Sequence, residues 1–324
     1  MVKADVLDGR LRGHDGVLAD ACGEVPLPEI VRYNTERHAR VGYLERFASY
    51  FRQLGFTAEE HRQLAALDAA GRAALMDRVG ERQGWLAQPD VHLQAAGCQL
   101  TLVVGEDLPA GFGVEPVEPE RILERYAALK ADVRLFIGID PASPSSLSRA
   151  LSLASHPRAA GLAVSPWLAG APVDDAAFDA TLRAALEQDL PLWVHACAHY
   201  RPDVAYDIEH PRQIDAAMRR YPQLRLMIGH AGWPWTADAC VVALRYPNVV
   251  LEFATFPPAL LRDPGWSLTP LYAQREALRG RVCFGSGATS SPQRFARLVQ
   301  QLDEVELGDH LPDWRGGALL QWLR

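Results

Sequence analysis

Short apolar runs alternate with amphipathic segments along most of the chain. The runs that predict buried strands after Gly97 are residues 99–104, 134–139, 161–164, 192–194, 226–228, 249–253 and 282–284. Between these runs, apolar residues recur on one face at the spacing of a helix. A further run at residues 4–8 predicts a first strand near the N-terminus. The pattern therefore predicts eight β units, seven of them separated by helices.

Strands that alternate with helices indicate a parallel sheet with crossover helices. Eight such units can close into a barrel, and an open doubly wound sheet is the alternative. Polar residues lie at the ends of several predicted strands, among them His195, His230, Glu252 and Ser286. All strand ends of a barrel meet at one mouth, whereas an open sheet uses only the ends near its switch point. We therefore predict an α/β fold of the (β/α)8 TIM-barrel type.

The segment from about residue 28 to residue 82 has a different pattern. Aromatic residues such as Tyr43, Phe47 and Tyr50 recur at helical spacing, and Thr57 and Glu60 have the spacing of a capping box. We predict a helical insertion after the first strand, residues 34–82, that acts as a lid. No linker rich in Pro, Gly or Ser isolates this segment, so we expect residues 1–324 to form a single domain.

Composition and charge exclude several classes of protein. The 324 residues are 48% hydrophobic, and the formal net charge of −7 comes with scattered Lys and Arg, which argues against a nucleic-acid partner. The N-terminus does not resemble a signal peptide, and no run approaches the roughly 18 apolar residues of a membrane span. We therefore expect a cytoplasmic protein with no membrane partner. The five cysteines lack a Cys-x-x-Cys pair, and a homo-oligomer remains an option.

Two histidines occupy equivalent positions at the ends of neighbouring predicted strands. His195 ends the fifth predicted strand, and His230 follows the sixth. Because consecutive strands of a barrel place their ends side by side, we expect both imidazoles in one pocket. A single histidine at such a position would more often be structural, but imidazole is the side chain best suited to acid–base chemistry near neutral pH. We predict that His195 and His230 are the catalytic residues.

Several stretches carry a resemblance to a known family. They are residues 206–211, 221–235, 246–253 and 283–286, and the second contains the run Gly-His-Ala-Gly-Trp-Pro-Trp. From Leu192 to the C-terminus the chain resembles the amidohydrolase-related family of TIM-barrel enzymes, and the resemblance is weaker but in register upstream. That family includes 2-pyrone-4,6-dicarboxylate lactonases and the aminocarboxymuconate-semialdehyde and resorcylate-type decarboxylases. The resemblance implies a TIM-barrel hydrolase or lyase.

The resemblance also implies a divalent metal at the barrel mouth. In the family its ligands are a His-x-His pair ending the first strand, a histidine ending the fifth, sometimes one ending the sixth, and an aspartate ending the eighth. His195 and His230 match the fifth and sixth positions, but aligning residues 6–12 on the first strand puts Arg10 and Arg12 on the His-x-His pair. Gly287 replaces the aspartate. Guanidinium cannot ligate a metal, so we predict a degenerate metal site and no cofactor.

The two arginines suggest the charge of the substrate. Guanidinium forks match a planar oxyanion, so we predict that Arg10 and Arg12 hold a small, carboxylate-bearing substrate. The alternative is that both lie on the surface. Further residues that follow strand ends are expected to bind the substrate: Trp167, His199, Trp233, Thr255 and Ser286.

The leading hypothesis is a metal-independent enzyme that hydrolyses a lactone or amide, or that decarboxylates or dehydrates its substrate. Loss of the aspartate, which is the family's water-activating base, favours a lyase over a hydrolase. Two alternatives stay open. One is a zinc-dependent hydrolase with a rearranged site built from His195, His199 and His230. The other is a catalytically inactive barrel that serves as a binding partner.

Overall fold

Eight parallel strands form a single sheet in which sequence neighbours are also spatial neighbours. The computed structural model describes residues 16–108, 113–114, 116–287 and 291–324. The strands are β1 (Ala19–Gly23), β2 (Leu100–Val104), β3 (Val133–Gly138), β4 (Ala159–Val164), β5 (Leu192–Val194), β6 (Leu226–Ile228), β7 (Val249–Glu252) and β8 (Val282–Cys283). With helices between the strands, this is the (β/α)8 barrel that the sequence predicts.

A group of helices separates β1 from β2, as predicted. They are α1 (Pro28–Arg40), α2 (Ala48–Gln53), α3 (Ala58–Ala66), α4 (Ala69–Gln83) and α5 (Val91–Ala95). Apolar residues of this insertion, including Phe51, Leu64 and Met76, form a core of their own. The predicted capping box is confirmed, because the Glu60 amide donates to the Thr57 hydroxyl and the Thr57 amide donates to the Glu60 carboxylate.

The remaining helices cover the outside of the barrel. They are α6 (Pro119–Ala127), α7 (Pro144–Leu153), α8 (Pro166–Ala169), α9 (Asp179–Glu187), α10 (Pro211–Arg220), α11 (Thr236–Arg245), α12 (Thr269–Ala273), α13 (Pro292–Asp303) and α14 (Ala318–Trp322). Their apolar faces pack against the strands in one large core. None of the helices in the described part of the chain combines the length and apolar character needed to cross a bilayer.

Alternation along each strand separates the barrel interior from the outer core. Trp193, Met227 and Val250 belong to the interior cluster, whereas their neighbours Val194 and Ile228 pack against the helices. This follows from the two-residue period of a strand, which sends successive side chains to opposite faces. The residues directly after the strands therefore stand around the mouth of the barrel.

The first strand differs from the prediction. The barrel's first strand is Ala19–Gly23, so the assignment of residues 4–8 to that position is wrong. Arg10 and Arg12 lie outside the described residues, and the alignment that placed them on the first strand no longer applies. The sequence did not reveal β1 because its apolar run is interrupted by Asp20, an acid that is fully buried.

Asp20 joins β1 to the segment that follows β8. Its carboxylate accepts hydrogen bonds from the amide of Ser286 at 2.9 Å and from the hydroxyl of the same residue at 2.5 Å. The backbone adds two bonds, from the Ala21 amide to Phe284 and from the Gly287 amide to Cys22, both 2.8 Å. These contacts close the barrel between its first and last strands.

Candidate active site

A cavity of about 300 Å³ lies at the mouth of the barrel. Its described wall is formed by the ends of β1, β2 and β5 on one side and by α1 and α2 of the insertion on the other. Six aromatic side chains contribute to it: Tyr33, Tyr43, Phe47, Tyr50, Trp167 and Trp193. A largely apolar cavity of this size with a few polar groups has the character of a small-molecule site.

His195, directly after β5, lines this cavity and is held by a buried acid. Its Nδ1 lies 2.7 Å from Oε2 of Glu209, whose other oxygen accepts a hydrogen bond from the Trp167 amide at 3.1 Å. Burial lowers the pKa of His195 to about 3, and burial raises the pKa of Glu209. The imidazole is therefore neutral at physiological pH, and with Nδ1 engaged its Nε2 is the nitrogen left to react.

His230, directly after β6, also lines the cavity. Its backbone has φ 52°, in the left-handed region, and the next residue, Ala231, has φ 51°. Such conformations cost roughly 1–3 kcal/mol and persist where the surroundings hold them in place. Burial lowers the pKa of His230 to about 4, although the Glu252 carboxylate acts in the opposite direction. His230 is thus a second neutral imidazole, presented by a strained turn.

Glu252, at the end of β7, holds that turn. This fully buried carboxylate accepts hydrogen bonds from the His230 amide at 2.7 Å, the Ala254 amide at 2.6 Å and the Trp193 indole at 3.3 Å. Its Oε1 is 3.6 Å from Nδ1 of His230. The acid therefore fixes the position of His230 relative to both neighbouring strands.

The structure brings the two predicted catalytic histidines together. The ring centroids of His195 and His230 are 5.0 Å apart, and the planes are inclined at 76°. Trp193 lies 5.7 Å from each ring. At this separation a proton on one imidazole disfavours a proton on the other. The two neutral rings can therefore take up only one additional proton readily, which suits one residue to act as a base and its neighbour as a hydrogen-bond donor.

Arg37 of α1 is the one arginine or lysine among the described residues that line the cavity. Its guanidinium forms an ion pair with Glu106, which follows β2, and the two side chains are only 12% and 16% exposed. The Tyr33 hydroxyl donates to the Glu106 carbonyl at 3.3 Å. The cation at this site thus comes from the insertion.

A family model described as amidohydrolase matches residues 110–307, which is more than half of the chain. The chain belongs to the amidohydrolase family. A search among curated proteins gives no significant match.

Solved structures resemble this chain in fold. An uncharacterized TIM-barrel protein from Bordetella bronchiseptica aligns with a TM-score of 0.62 and 17% identity, covering 94% of this chain and 98% of the other. A 5-carboxyvanillate decarboxylase from Sphingomonas paucimobilis aligns with a TM-score of 0.59 and 17% identity, covering 95% of this chain and 99% of the other. A 5-carboxyvanillate decarboxylase from Novosphingobium aromaticivorans, with bound manganese and a nitrobenzoic acid, aligns with a TM-score of 0.56 and 16% identity. The alignment covers 96% of this chain and 97% of the other.

The metal expected from the resemblance does not fit the residues of this chain. With β1 at its observed position, Cys22 and Glu24 stand two and four residues after Asp20, where the family has its His-x-His pair. Gly287 has φ 67°, and a Cβ there would lie 2.7 Å from the Thr255 nitrogen, so no side chain fits at the aspartate position. Across the described ranges, no three His, Cys, Asp or Glu side chains form a group that could hold a metal ion.

The residues predicted to bind substrate divide into two groups. Of the described residues, Trp167 and Thr255 line the cavity, whereas Trp233, His199 and Ser286 do not. His199 instead stacks on Trp167 at 6.1 Å, and its Nε2 lies 3.0 Å from the Ala205 carbonyl. Trp233 packs against Phe256, and Ser286 holds Asp20. The structure therefore does not join His199 to the histidine pair, as the rearranged zinc site would require.

Sequence reasoning missed three residues of this site. Glu24 was detectable, because its spacing from Asp20 repeats that of the family's Asp-x-His-x-His motif. Glu209 lies within the stretch 206–211 that carries the family resemblance, but nothing in the sequence links it to His195. Arg37 had no signal, since one arginine on an amphipathic helix is ordinarily solvent-exposed.

Proposed function

We propose that this amidohydrolase is a metal-independent enzyme that acts on a small carboxylate-bearing molecule, as a hydrolase or a lyase. One observation carries the proposal. His195 and His230 are neutral imidazoles 5.0 Å apart in the wall of a single cavity, and each is backed by a buried glutamate. Paired groups of this kind, with pKa values displaced by burial, are typical of acid–base catalysis.

Metal independence is supported by the donor atoms present. The position of the family's aspartate is Gly287, and the position of its histidine pair is held by a thiol, Cys22, and a carboxyl, Glu24. Burial raises the pKa of Cys22, which opposes the thiolate form that a metal needs. The Glu24 carboxyl is engaged by the Tyr50 hydroxyl at 3.0 Å. Activation of the substrate would then fall to the histidines.

Arg37 supports the proposal that the substrate carries a carboxylate. A guanidinium presents a planar fork of donors that matches a carboxylate in two parallel hydrogen bonds. Glu106 occupies that fork, and a substrate carboxylate would exchange with it. The aromatic wall of the cavity favours a flat ring as the rest of the molecule. The fold-related 5-carboxyvanillate decarboxylases act on such acids by name, which is consistent with this substrate class.

In the proposed mechanism the two imidazoles act as base and hydrogen-bond donor. Glu209 engages Nδ1 of His195, a residue of the cavity wall, which leaves Nε2 as the nitrogen that can accept a proton from the substrate or from water. The neighbouring His230 then donates its ring N–H to the oxygen on which charge develops. The hydrogen bond from the His230 amide to Glu252 fixes the backbone that presents this donor. The absence of a carboxylate at Gly287 favours lyase chemistry over hydrolysis.

The test uses the full-length protein and a panel of aromatic carboxylates and lactones. We expect turnover in chelated buffer, and a 10²- to 10⁴-fold loss of kcat in each of His195→Asn and His230→Asn. His156→Asn is the matched control, because His156 precedes β4 at the opposite end of the barrel. Full activity in both cavity variants would refute the proposal. Activity that requires added Zn²⁺ after chelation would favour the zinc hydrolase instead.

A further inference from the structure

The carboxyl group of Glu24 stands across the barrel mouth from His195. Glu24 directly follows β1, and His195 directly follows β5. In an eight-stranded barrel whose strands are arranged in sequence order, β1 and β5 lie on opposite sides. Both residues line the same cavity. A molecule bound in that cavity therefore lies between an imidazole on one side and a carboxyl on the other.

Glu24 is held in place by the helical insertion as well as by the barrel. The residue is only 8% exposed, and its Oε1 accepts a hydrogen bond from the Tyr50 hydroxyl of α2 at 3.0 Å. Asn34 of α1 donates to that hydroxyl at 3.3 Å. The arginine of the cavity forms its ion pair with Glu106 instead. Glu24 is thus a positioned acid whose charge no described ion pair cancels.

The surroundings favour the protonated form of this acid. Burial raises the pKa of Glu24 to about 7, while the Tyr50 hydrogen bond, the charge of Arg37 and Asn34 act to lower it. Burial also raises the pKa of Cys22, the other titratable group that β1 presents to the cavity. The titratable or charged groups that interact with Glu24 include Cys22, Arg37, Tyr50, His92 and Tyr126. At neutral pH a substantial fraction of Glu24 therefore carries a proton.

We propose that Glu24 is a third catalytic residue of this site and delivers a proton to the substrate from the side opposite His195. The inference rests on the proposed function. In a decarboxylation the electron pair of the broken C–C bond stays on the ring carbon, which takes the Glu24 proton as carbon dioxide leaves. In a hydrolysis His195 takes a proton from water as the water oxygen bonds to the carbonyl carbon. The C–O or C–N bond then breaks, and Glu24 protonates the leaving oxygen or nitrogen. The Glu24 carboxylate regains its proton from solvent or from the imidazolium.

The decisive variant is Glu24→Gln. Glutamine keeps the volume of the side chain and an oxygen that accepts from Tyr50, but it cannot transfer a proton. We expect kcat to fall by about 100-fold or more, with KM and Tm little changed, and the decline of activity above about pH 7 to disappear. Glu36→Gln is the control, since Glu36 is paired with Arg72 outside the cavity. Wild-type kcat with an unchanged basic limb in Glu24→Gln would overturn the inference.

A second variant separates proton transfer from a structural role. The Tyr50 hydrogen bond lowers the pKa of Glu24, so Tyr50→Phe should move the basic limb of the pH–rate profile to higher pH. A structural acid would change Tm without moving that limb.

Infrared spectroscopy of the substrate-free protein tests the inference independently of the proposed function. We expect a protonated-carboxyl band that titrates near pH 7 and is missing in Glu24→Gln. If that band is present but the histidine variants are fully active, the proposed function fails and the protonated Glu24 stands. If the histidine variants are inactive but the band is absent, the inference about Glu24 fails alone.

Discussion

Gly287 marks the position at which this amidohydrolase differs most sharply from the metal site that the family resemblance implies. Its φ of 67° costs a residue with a side chain roughly 1–2 kcal/mol. A Cβ would also lie 2.7 Å from the Thr255 nitrogen and 3.0 Å from its Cα, and both are backbone atoms that cannot rotate away. Relief of such overpacking typically costs a further 1–3 kcal/mol or so. We therefore expect Gly287→Ala to destabilise the protein by about 2–5 kcal/mol.

Gly280→Ala provides the matched control. Gly280 has a nearly identical φ of 68°, but its Cβ would meet only the Gln321 side-chain oxygen, at an ordinary 3.6 Å. That variant should lose only the roughly 1–2 kcal/mol of the backbone conformation. Thermal and denaturant unfolding of both variants measures the difference. Equal stability of Gly280→Ala and Gly287→Ala would refute the predicted collision with Thr255.

Gly287→Asp extends the same test to the metal. The variant restores the aspartate that the resemblance places there, but its carboxylate would enter a buried position at the same steric cost. We expect it to be less stable than Gly287→Ala and to gain no stability from Zn²⁺ or Mn²⁺. A metal-dependent rise in Tm would show that a side chain fits at this position and that the remaining donors can form a site with it, and would refute the steric argument.

Three further predictions follow from the cavity. Arg37→Met should raise KM for carboxylate substrates by roughly 10- to 100-fold with kcat little changed. Arg32→Met should leave KM unchanged, because Arg32 forms an exposed ion pair with Asp77; steady-state kinetics measures both variants. Glu252→Gln should cost about 1–3 kcal/mol, because glutamine has one acceptor oxygen for three donors, and an unaltered urea midpoint would contradict this. The pH profile of kcat/KM should fall below about pH 3, as the base His195 becomes protonated, and above about pH 7, as Glu24 loses its proton; a flat profile would exclude both roles.

The sequence was sufficient to predict seven of the eight strands because each is a short apolar run between amphipathic segments. It was not sufficient for β1, in which a buried acid breaks the run. Asp20 is tolerated there only because Ser286, 266 residues later, donates two hydrogen bonds to it. A partner so distant along the chain leaves no local pattern, so the sequence favours the more regular run at residues 4–8 instead.

The candidate site was predictable in part. His195 and His230 could be paired from the sequence, because barrel topology alone brings the ends of consecutive strands together. Arg37 could not, since its place in the cavity depends on how the insertion packs over the mouth. Glu24 is detectable only once β1 is placed at Ala19–Gly23. Tyr50 links the two parts by its hydrogen bond to Glu24, and that contact is set by tertiary packing.

The junction between β8 and β1 has a consequence for how the native barrel opens. β8 is only two residues long, and it meets β1 through two backbone hydrogen bonds and the Asp20 carboxyl. Burial raises the pKa of Asp20 to about 6. Protonation of Asp20 therefore stabilises the closed junction fully below about pH 4, and this stabilisation is lost as the pH rises through 6. In native-state hydrogen exchange, the amides of Ala21 and Gly287 should be among the first of the barrel to lose protection. Because Glu24 follows directly on β1, each such opening would also dismantle one wall of the catalytic cavity.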